Sequence, residues 1–545
     1  MELSKYQKEI IDFFKNNPHD NIIVKALAGT GKSTLICLLT EETNTSDIYV
    51  AFNSSIAEEF SRKINNPKTK VKTLHSLGLA IMNSNLSEST SKGGIGSRNT
   101  SSSGATLDNF KIHKIIDELI YETFGKYDKF EHKIFIKDNY VQLYNLCRLT
   151  CTNMSSESEV EKLVEDYNLF VDYSGNDFSS PLVSTMVTWL EQIDEKSIKE
   201  FNNTRTIDFT DMLYITYKKL SSGEWKVPYY NYYTNIYIDE AQDLSTIQLL
   251  MLKFIKRKGG RYIFVLDENQ AIYSFAGGNA KSCALIPKLY APIKEFDLPI
   301  NYRCPTSHLA KVNRDFGIPI QPRPDAPIGS IKTIDKEEIK KYVHAGDLVI
   351  SRKNKWLSDV ILDLAIHGIP IYMEDKEMVE QIKKLVSSQK AVSLYELKNK
   401  LEKIIKKYNV QLEKIVKKET EKAEEDTKKM IDVSDTNSRI DNINFIKSIL
   451  SYYSSQPQNK YDKPDDFIRY IDVLLNTKMP SNCVRVCSVH KAKGLEAPQT
   501  FVLNEAKVCT DRRNSWEQNE QEKNLSYISI TRAKENLFLV RETDV

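Results

Sequence analysis

A glycine-rich stretch near the amino terminus constrains the fold of this chain more than any other feature. Residues 26–33 read Ala-Leu-Ala-Gly-Thr-Gly-Lys-Ser, between the apolar runs Ile22–Val24 and Leu35–Leu39. The pattern predicts a strand, a tight loop and a helix, whose backbone N–H groups and dipole favour phosphate. Lys32 is expected to reach the β- and γ-phosphates of a nucleotide, and Ser33 to ligate Mg²⁺. The predicted nucleotide-binding residues here are Ala28, Gly29, Thr30, Gly31, Lys32, Ser33 and Thr34.

Composition limits the class of protein without giving a function. The 545 residues are 41% hydrophobic and 28% charged, which is typical of a globular chain with several domains. A net charge of +2 gives no global basic field, so any nucleic-acid site must be a local groove. We expect neither a signal peptide nor a membrane span, because no apolar run approaches ~20 residues.

Eight scattered cysteines suit a reducing compartment. The pairs Cys147/Cys151 and Cys483/Cys487 are each four residues apart and lack the spacing of a zinc knuckle. We predict that these cysteines are buried structural groups, the first pair on one helix face and the second on one strand face.

Eight short apolar runs predict parallel strands, because helical patterns separate them. They are Ile22–Val24, Ile48–Phe52, Ile236–Ile238, Tyr262–Leu266, Leu348–Ile350, Val484–Val489, Phe501–Leu503 and Leu537–Val540. Since these runs span the whole chain, we predict two α/β domains.

Two segments interrupt this alternation. Residues 83–106 are rich in Ser, Asn, Gly and Thr, and predict a mobile loop. Residues 376–479 contain a helical pattern that begins with Ser393 and Glu396 as a capping box. Its apolar positions are Leu394, Leu397, Leu401, Ile404, Ile405, Tyr408, Leu412 and Ile415. Its Lys- and Glu-rich face indicates a solvated surface more than a DNA-binding strip.

A pair of carboxylates forms a second phosphate-site element. Asp239 and Glu240 directly follow the apolar run Ile236–Ile238. Asp239 can hold Mg²⁺, and Glu240 can orient and deprotonate an attacking water. An isolated Asp-Glu pair is usually a solvated turn, but together with the glycine loop it predicts nucleotide hydrolysis.

The chain carries an ordered series of motifs that resembles the superfamily 1 DNA helicases of the UvrD/Rep/PcrA type. The segments are Leu3–Gln7, Ala51–Glu59, Thr73–Gly78, Asp208–Leu213, Leu266–Phe275, Leu298–Arg303, Val489–Glu496 and Leu525–Ala533. The amino-acid sequences of Ala51–Glu59 and Ala28–Ser33 are similar to those of the F-box DNA helicase branch.

The resemblance implies an α/β fold with two RecA-like parallel-sheet motor domains and mainly helical insertions. The implied bounds are 1–80 and 206–295 for the first motor domain, 81–205 for its insertion, 296–375 and 480–545 for the second motor domain, and 376–479 for a reduced second insertion.

The resemblance also implies catalytic and nucleotide-binding roles. Arg303 and Arg532 are implied as arginine fingers, which compensate charge on the γ-phosphate during phosphoryl transfer. A surface salt bridge is the competing interpretation for either arginine. Gln270 is implied as the γ-phosphate sensor. The remaining implied contacts are Gln7 and Tyr302 to adenine and Glu496 to the ribose.

For DNA, the resemblance implies base stacking on three aromatics and backbone contacts from three further residues. They are Phe52, Tyr273 and Phe275, and Thr73, His75 and His490. Ordinary core aromatics are the competing interpretation, most evenly balanced for Phe52, and lone histidines are more often structural. Ala276–Gly278 replaces the usual arginine and glycine after the last aromatic, so one DNA contact is missing.

These motifs predict an ATP- and Mg²⁺-dependent helicase that moves 3′→5′ on single-stranded and tailed duplex DNA. The direction follows from the resemblance alone, and we expect a functional monomer.

The reduced second insertion and Ala276 favour an alternative, a translocase that strips proteins from DNA with little unwinding. A third hypothesis is an ATP-gated DNA-binding module for a nuclease or replication partner, against which Glu240, Arg303 and Arg532 argue. RNA is a further candidate for the strand along which the protein moves. We expect a cytoplasmic protein in a bacterial, phage or viral setting, or a nuclear one in a eukaryote.

Overall fold

The computed structural model describes residues 3–91, 104–125, 130–167, 169–170, 183–272, 280–352, 354–422, 434–459, 462–475, 482–504 and 516–541. Among these, unit 1 takes the residues within 1–27, 31–172 and 176–298, and unit 2 takes those within 28–30 and 299–545. Within the described residues, no helix is both long enough and apolar enough to span a bilayer.

Unit 1 alternates strands and helices before and after a helical segment. Its elements are α1 (Lys5–Asn16), β1 (Asn21–Ala26), α2 (Lys32–Glu41), β2 (Asp47–Ala51), α3 (Ser54–Lys63), β3 (Thr69–Thr73), α4 (Leu74–Ser91), β4 (Thr106–Leu107), α5 (Lys111–Phe124), α6 (Phe130–Thr150), α7 (Glu157–Asp166), α8 (Val183–Thr204), β5 (Thr206–Ile207), α9 (Asp211–Ser221), β6 (Tyr233–Ile238), α10 (Thr246–Leu252), β7 (Lys256–Leu266), α11 (Ala280–Tyr290) and β8 (Ile293–Leu298).

The sheet of unit 1 has the strand order β3-β2-β6-β7-β1-β8, and all neighbouring strands are parallel. Both faces are covered, which explains why the central strands are apolar runs. Successive residues of β1 show this: Ile22 and Val24 pack with α1, α2 and α3, whereas Ile23 packs with α4, α9, α10 and α11. Residues that follow β1, β6 and β7 therefore emerge at one edge of the sheet.

Helices α5–α8 have a hydrophobic core of their own, built around Ile116, Leu143, Tyr144 and Leu190. This core is separate from the two that cover the sheet, as a helical insertion requires.

Unit 2 repeats the alternation of strands and helices. Its elements are β9 (Ile300–Asn301), α12 (Thr306–Phe316), β10 (Gln321–Pro322), β11 (Ser330–Asp335), α13 (Ile339–Tyr342), β12 (Leu348–Ser351), α14 (Asn354–Ile366), β13 (Ile371–Met373), α15 (Lys376–Ser388), α16 (Leu394–Lys422), α17 (Ser434–Ser455), α18 (Pro464–Leu474), β14 (Val484–Ser488), β15 (Ala497–Leu503), α19 (Trp516–Ile530) and β16 (Ala533–Arg541).

The main sheet of unit 2 is also parallel, with the order β11-β16-β15-β12-β14-β13. Its core differs from that of unit 1, because one continuous cluster joins sheet and insertion. Val349 and Val486 of the sheet belong to the same cluster as Leu397 of α16, Ile446 of α17 and Phe467 of α18. The helices after β13 are thus fused to the sheet by packing.

The two α/β domains and all eight predicted strands are confirmed, as is the helix that begins at Leu394. The loop predicted over residues 83–106 is wrong in part, because α4 continues to Ser91. Polar side chains there bond to carbonyls one turn back: Ser87 Oγ donates to Asn83 O at 2.8 Å, and Asn85 Nδ2 donates to Ile81 O at 2.9 Å. Residues 92–103 of that prediction lie outside the described residues.

Two smaller predictions need correction. The capping box is half formed: Ser393 Oγ accepts from Glu396 N–H, but the Glu396 carboxylate accepts from Val392 N–H. Cys147 is buried in α6, whereas Cys151 follows the helix end, has a φ of 57° and is exposed. The Cys483/Cys487 pair is buried as predicted.

Candidate functional site

The carboxyl edge of the unit 1 sheet gathers the predicted phosphate-site residues. Lys32 begins α2 after the loop that follows β1, Asp239 and Glu240 follow β6, and Gln270 lies in the turn after β7. In open parallel sheets this edge is where ligands bind. The parallel pairing of β1, β7 and β6 therefore brings together groups more than 200 residues apart in the sequence.

Lys32 lies among carboxylates. Its Nζ is 4.0 Å from Glu240 Oε1 and 3.9 Å from Asp267 Oδ2, and it donates to Ala26 O at 3.3 Å. The side chain is 11% exposed. A cation held between two carboxylates at a helix start is placed to bind a polyphosphate. Ser33 and Thr34 follow in the first turn of α2.

Gln7 contacts the phosphate loop from α1. Its Oε1 accepts from the N–H of Ser4 at 3.0 Å as part of a capping box, which fixes the side chain. Its Nε2 is buried and has no hydrogen-bond partner among the described residues. A Cβ added to Gly31, whose φ is +84°, would lie 3.4 Å from this Nε2. An unpaired buried donor beside the loop fits a ligand acceptor, such as a ring nitrogen of adenine.

Asp239 is buried and held by two donors. Its Oδ1 accepts from Glu240 N–H at 2.9 Å, and its Oδ2 accepts from the Tyr49 hydroxyl at 2.8 Å. Burial and the charge of Glu240 raise the pKa of Asp239 to about 6, against the lowering effects of Lys32 and Tyr49. Carboxylate oxygen is the ligand Mg²⁺ prefers, so Asp239 and the Ser33 hydroxyl fit a magnesium site.

Glutamine side chains link the elements after β6 and β7. Gln242 Nε2 donates to Glu240 Oε2, and Gln242 Oε1 accepts from Asp267 N–H at 3.1 Å. Gln270 Nε2 donates to Asp267 Oδ2 at 2.6 Å. Gln270 is thereby connected to the carboxylates beside Lys32. Asp267 lies within the motif Leu266–Phe275, and Gln242 follows two residues after Glu240, but neither was predicted to have a role.

A second group of predicted residues follows β2 and β3 at the same edge. Phe52 follows β2, Thr73 ends β3, and His75 lies in the first turn of α4. The ring of His75 stacks on Phe209, with centroids 4.1 Å apart, and Phe209 is 53% exposed. Burial lowers the pKa of His75 to about 4, so this stack is neutral at pH 7. Tyr273, Phe275 and Ala276–Gly278 lie outside the described residues.

Phe209 was missed as a site residue, although it stands between two acidic positions of a recognised motif. Asp208 and Asp211 flank it and exchange hydrogen bonds with each other's backbone N–H at 2.7 and 3.0 Å. Arg148 of α6 donates to both carboxylates at 2.6–3.0 Å, and Lys111 of α5 donates to Asp211 at 2.7 Å. We call these four charged residues the buried charge cluster. It fixes the turn that exposes Phe209.

In unit 2, Arg303 faces an anion. Its Nε donates to Glu496 Oε2 at 2.7 Å, and its Nη1 donates to Thr531 O at 3.2 Å. Lys534 contacts the other Glu496 oxygen at 2.5 Å. Within the same unit, Tyr302 N–H donates to Gly29 O at 2.8 Å.

Arg532 lies beside this group but is only 1% exposed. Its guanidinium donates to the carbonyls of Ile528 at 3.0 Å and Leu495 at 3.2 Å, and to Thr531 Oγ1 at 3.0 Å. Arg303 and Arg532 therefore both contact Thr531. Arg303 pairs with the Glu496 carboxylate, whereas these three bonds of Arg532 go to backbone and hydroxyl oxygen.

His490 follows β14 at the carboxyl edge of the unit 2 sheet. Burial, together with the charge of Arg352, lowers its pKa to about 4. Arg352 follows β12 and makes a bidentate pair with Glu522 of α19, with N–O distances of 2.8 to 3.2 Å.

The glycine-rich loop, Lys32 and the carboxylates after β6 form an arrangement typical of phosphate-loop nucleotide hydrolases with a parallel sheet. Residues 3–290 match the family model described as the UvrD/REP helicase N-terminal domain. Since this match covers more than half of the 545 residues, the chain belongs to the UvrD/REP helicase family.

Three relatives show how far the similarity extends. The ATP-dependent DNA helicase Rep of Buchnera aphidicola subsp. Acyrthosiphon pisum is 21% identical over 508 residues, covering 74% of this chain and 77% of that protein. The probable DNA helicase II homolog of Mycoplasma genitalium is 26% identical, covering 54% of this chain and 40% of its own length. The ATP-dependent DNA helicase PcrA of Staphylococcus epidermidis is 25% identical, covering 25% and 18%.

Proposed function

We propose that this protein is an ATP-dependent DNA helicase that moves 3′→5′ along single-stranded DNA. The observation that carries the proposal is Lys32, which lies within 4.0 Å of Glu240 and Asp267 at the edge where Asp239 emerges. The family match and the names of the relatives support a helicase activity on DNA. The direction of movement follows from resemblance to the UvrD/Rep/PcrA type.

In this mechanism, unit 1 binds ATP and prepares the water. Lys32 leaves the carboxylates and neutralises β- and γ-phosphate oxygens, while Gln7 Nε2 donates to the adenine. Mg²⁺, held by Ser33 and Asp239, supplies charge neutralisation at the phosphates when bound. Glu240 orients the attacking water and accepts its proton. Gln270 contacts the γ-phosphate, and its hydrogen bond to Asp267 couples this contact to Gln242.

Unit 2 supplies cationic side chains in the proposed cycle. Arg303 exchanges the Glu496 carboxylate for γ-phosphate oxygens, a replacement of one anion by another. Arg532 reaches phosphate only after it gives up the carbonyls of Leu495 and Ile528. We propose that nucleotide binding drives these exchanges and draws the two units together, and that hydrolysis reverses them. Tyr302 stacks on adenine. Glu496 contacts the ribose after its carboxylate has separated from Arg303.

For the DNA track, we propose the predicted residues Phe52, Thr73, His75 and His490, with Tyr273 and Phe275. Phe209 joins them, because its exposed ring stacked on neutral His75 offers a face to a nucleobase. Stacking contributes about 1–3 kcal/mol per base and tolerates any sequence. The domain bounds given by the resemblance remain part of the proposal, and the separate core of α5–α8 supports the first insertion.

The test compares wild type with Glu240→Gln on duplexes that carry a single-stranded tail of either polarity. The variant should bind ATP with near wild-type affinity and lose hydrolysis and unwinding. Wild type should unwind the duplex with a 3′ tail and leave the duplex with a 5′ tail intact. Unwinding from the 5′ tail alone would reverse the assigned direction, and loss of ATP binding in the variant would give Glu240 a structural role.

A further inference from the structure

Tyr49 has a contact that a core tyrosine does not need. It lies in the middle of β2, is fully buried, and stacks on Phe60 of α3 with centroids 3.6 Å apart and ring planes 5° apart. Hydrophobic packing accounts for the ring. The hydroxyl, however, donates to Asp239 Oδ2 at 2.8 Å, across 190 residues of sequence.

The hydrogen bond acts on the carboxylate that the proposed function assigns to Mg²⁺. Asp239 Oδ1 is already bonded to Glu240 N–H at 2.9 Å, so with Tyr49 each oxygen has one protein donor. Two donors on opposite oxygens fix the rotation of the carboxylate. Each oxygen keeps a further lone pair for a metal ion or a metal-bound water.

We propose that Tyr49 is a positioning residue that orients Asp239 for Mg²⁺ through its hydroxyl. The inference rests on the proposed function of Asp239 and adds a residue that no recognised motif assigns. Mg²⁺ demands near-ideal geometry and is bound by few protein carboxylates, so a preset ligand matters. Outer partners that orient a metal ligand typically contribute 10- to 100-fold in metal affinity.

Tyr237 provides a matched control. It is the register partner of Tyr49 on the neighbouring strand β6 and is equally buried. Its hydroxyl donates to the carbonyl of Leu39 at 3.2 Å, away from the Asp239 carboxylate. Tyr237→Phe thus removes a buried hydroxyl from the same sheet and leaves the Asp239 contact in place.

The experiment measures Mg²⁺ dependence in the full chain carrying Tyr49→Phe or Tyr237→Phe. The first readout is the Mg²⁺ concentration that gives half-maximal ATPase. The second is the thermal shift caused by a non-hydrolysable ATP analogue, with Mg²⁺ and with EDTA. Tyr49→Phe should raise the half-maximal Mg²⁺ concentration about tenfold. It should also shrink the Mg²⁺-dependent part of the thermal shift and leave the EDTA value unchanged.

Equal Mg²⁺ requirements in wild type and Tyr49→Phe, or equal increases in both variants, would overturn the proposal. Should Tyr49→Phe not fold, Phe60→Leu removes the ring that supports Tyr49 and is expected to raise the Mg²⁺ requirement by a smaller factor. No change in that variant would also count against it. Failure of the proposed function is distinguishable, because wild type itself would then show no Mg²⁺-dependent hydrolysis.

Discussion

The buried charge cluster offers a stability test whose size follows from its geometry. Arg148 is fully buried and donates to Asp208, Asp211 and Asn145, and Lys111 is the second cation. The cluster has two positive and two negative groups, so Arg148→Met leaves two buried carboxylates facing one lysine. Breaking a buried pair in this way costs about 3–5 kcal/mol.

The assay is thermal unfolding, followed by the near-UV signal of the aromatic-rich core of α5–α8. At about 2.1 cal/mol/K per residue, the roughly 290 residues of unit 1 give about 1.6 °C per kcal/mol, so a loss of this size lowers the midpoint by about 5–8 °C. Lys63→Met, which breaks an exposed pair with Glu59, is the control and should cost less than about 1 kcal/mol. Adding Asp208→Asn to Arg148→Met restores charge balance and should recover part of the loss. An Arg148→Met midpoint within 1 °C of wild type, or a double variant less stable than the single one, would refute the reasoning.

Three further outcomes are expected. Lys32→Ala should lower ATP hydrolysis by about 100-fold or more at saturating ATP, in a chain that circular dichroism shows to be folded; near-normal turnover would remove Lys32 from the phosphate site. Phe209→Ala should weaken single-stranded DNA binding at least about fivefold in fluorescence anisotropy and leave ATPase without DNA unchanged, whereas Tyr121→Ala, at a ring on α5 that is 62% exposed, should change neither. His75 has a folded pKa of about 4, below its unfolded value, so stability is lost as the pH falls from about 6.5 toward 4. His75→Phe should reduce the drop in unfolding midpoint between pH 7 and pH 5, and an identical drop would contradict the neutral stack.

Sequence patterns identified the centre of each sheet and missed its edges. The eight predicted strands are the four inner strands of each sheet, which have helices on both faces and are continuous apolar runs. In these two sheets the missed strands are β3, β8, β11 and β13, and all four are edge strands. Three of them carry charged side chains, as in the Thr-Lys-Val-Lys-Thr of β3 and the Ile-Lys-Glu-Phe-Asp-Leu of β8, whereas β13 is a buried strand of only three residues. Such charges protect an edge from pairing with another chain, and they also break the apolar signal.

The site shows the same division between local and long-range information. The loop around Lys32 and the carboxylates after β6 could be found, because each lies in one short segment with a fixed spacing. The role of Tyr49 could not, since its hydroxyl meets Asp239 only when β2 and β6 pair in register. The burial of Arg532 was equally hidden, because it depends on carbonyls presented by Leu495 and Ile528.

The core of unit 2 changes how its insertion is expected to behave. Leu397 is fully buried within the cluster that includes the sheet residues Val349 and Val486. A segment that shares a core with the sheet moves with it, because packed interiors transmit displacement. The helices α15–α18 are therefore expected to act as part of the unit 2 body.

The most direct measurement of the central claim is ATP turnover as a function of the length of single-stranded DNA. Oligonucleotides of increasing length are supplied at equal nucleotide concentration and saturating ATP. A motor that walks dissociates at strand ends, so turnover should rise with length and level off for long strands, and Glu240→Gln should show none. Turnover that is the same with short strands, long strands and no DNA would contradict a DNA-driven motor.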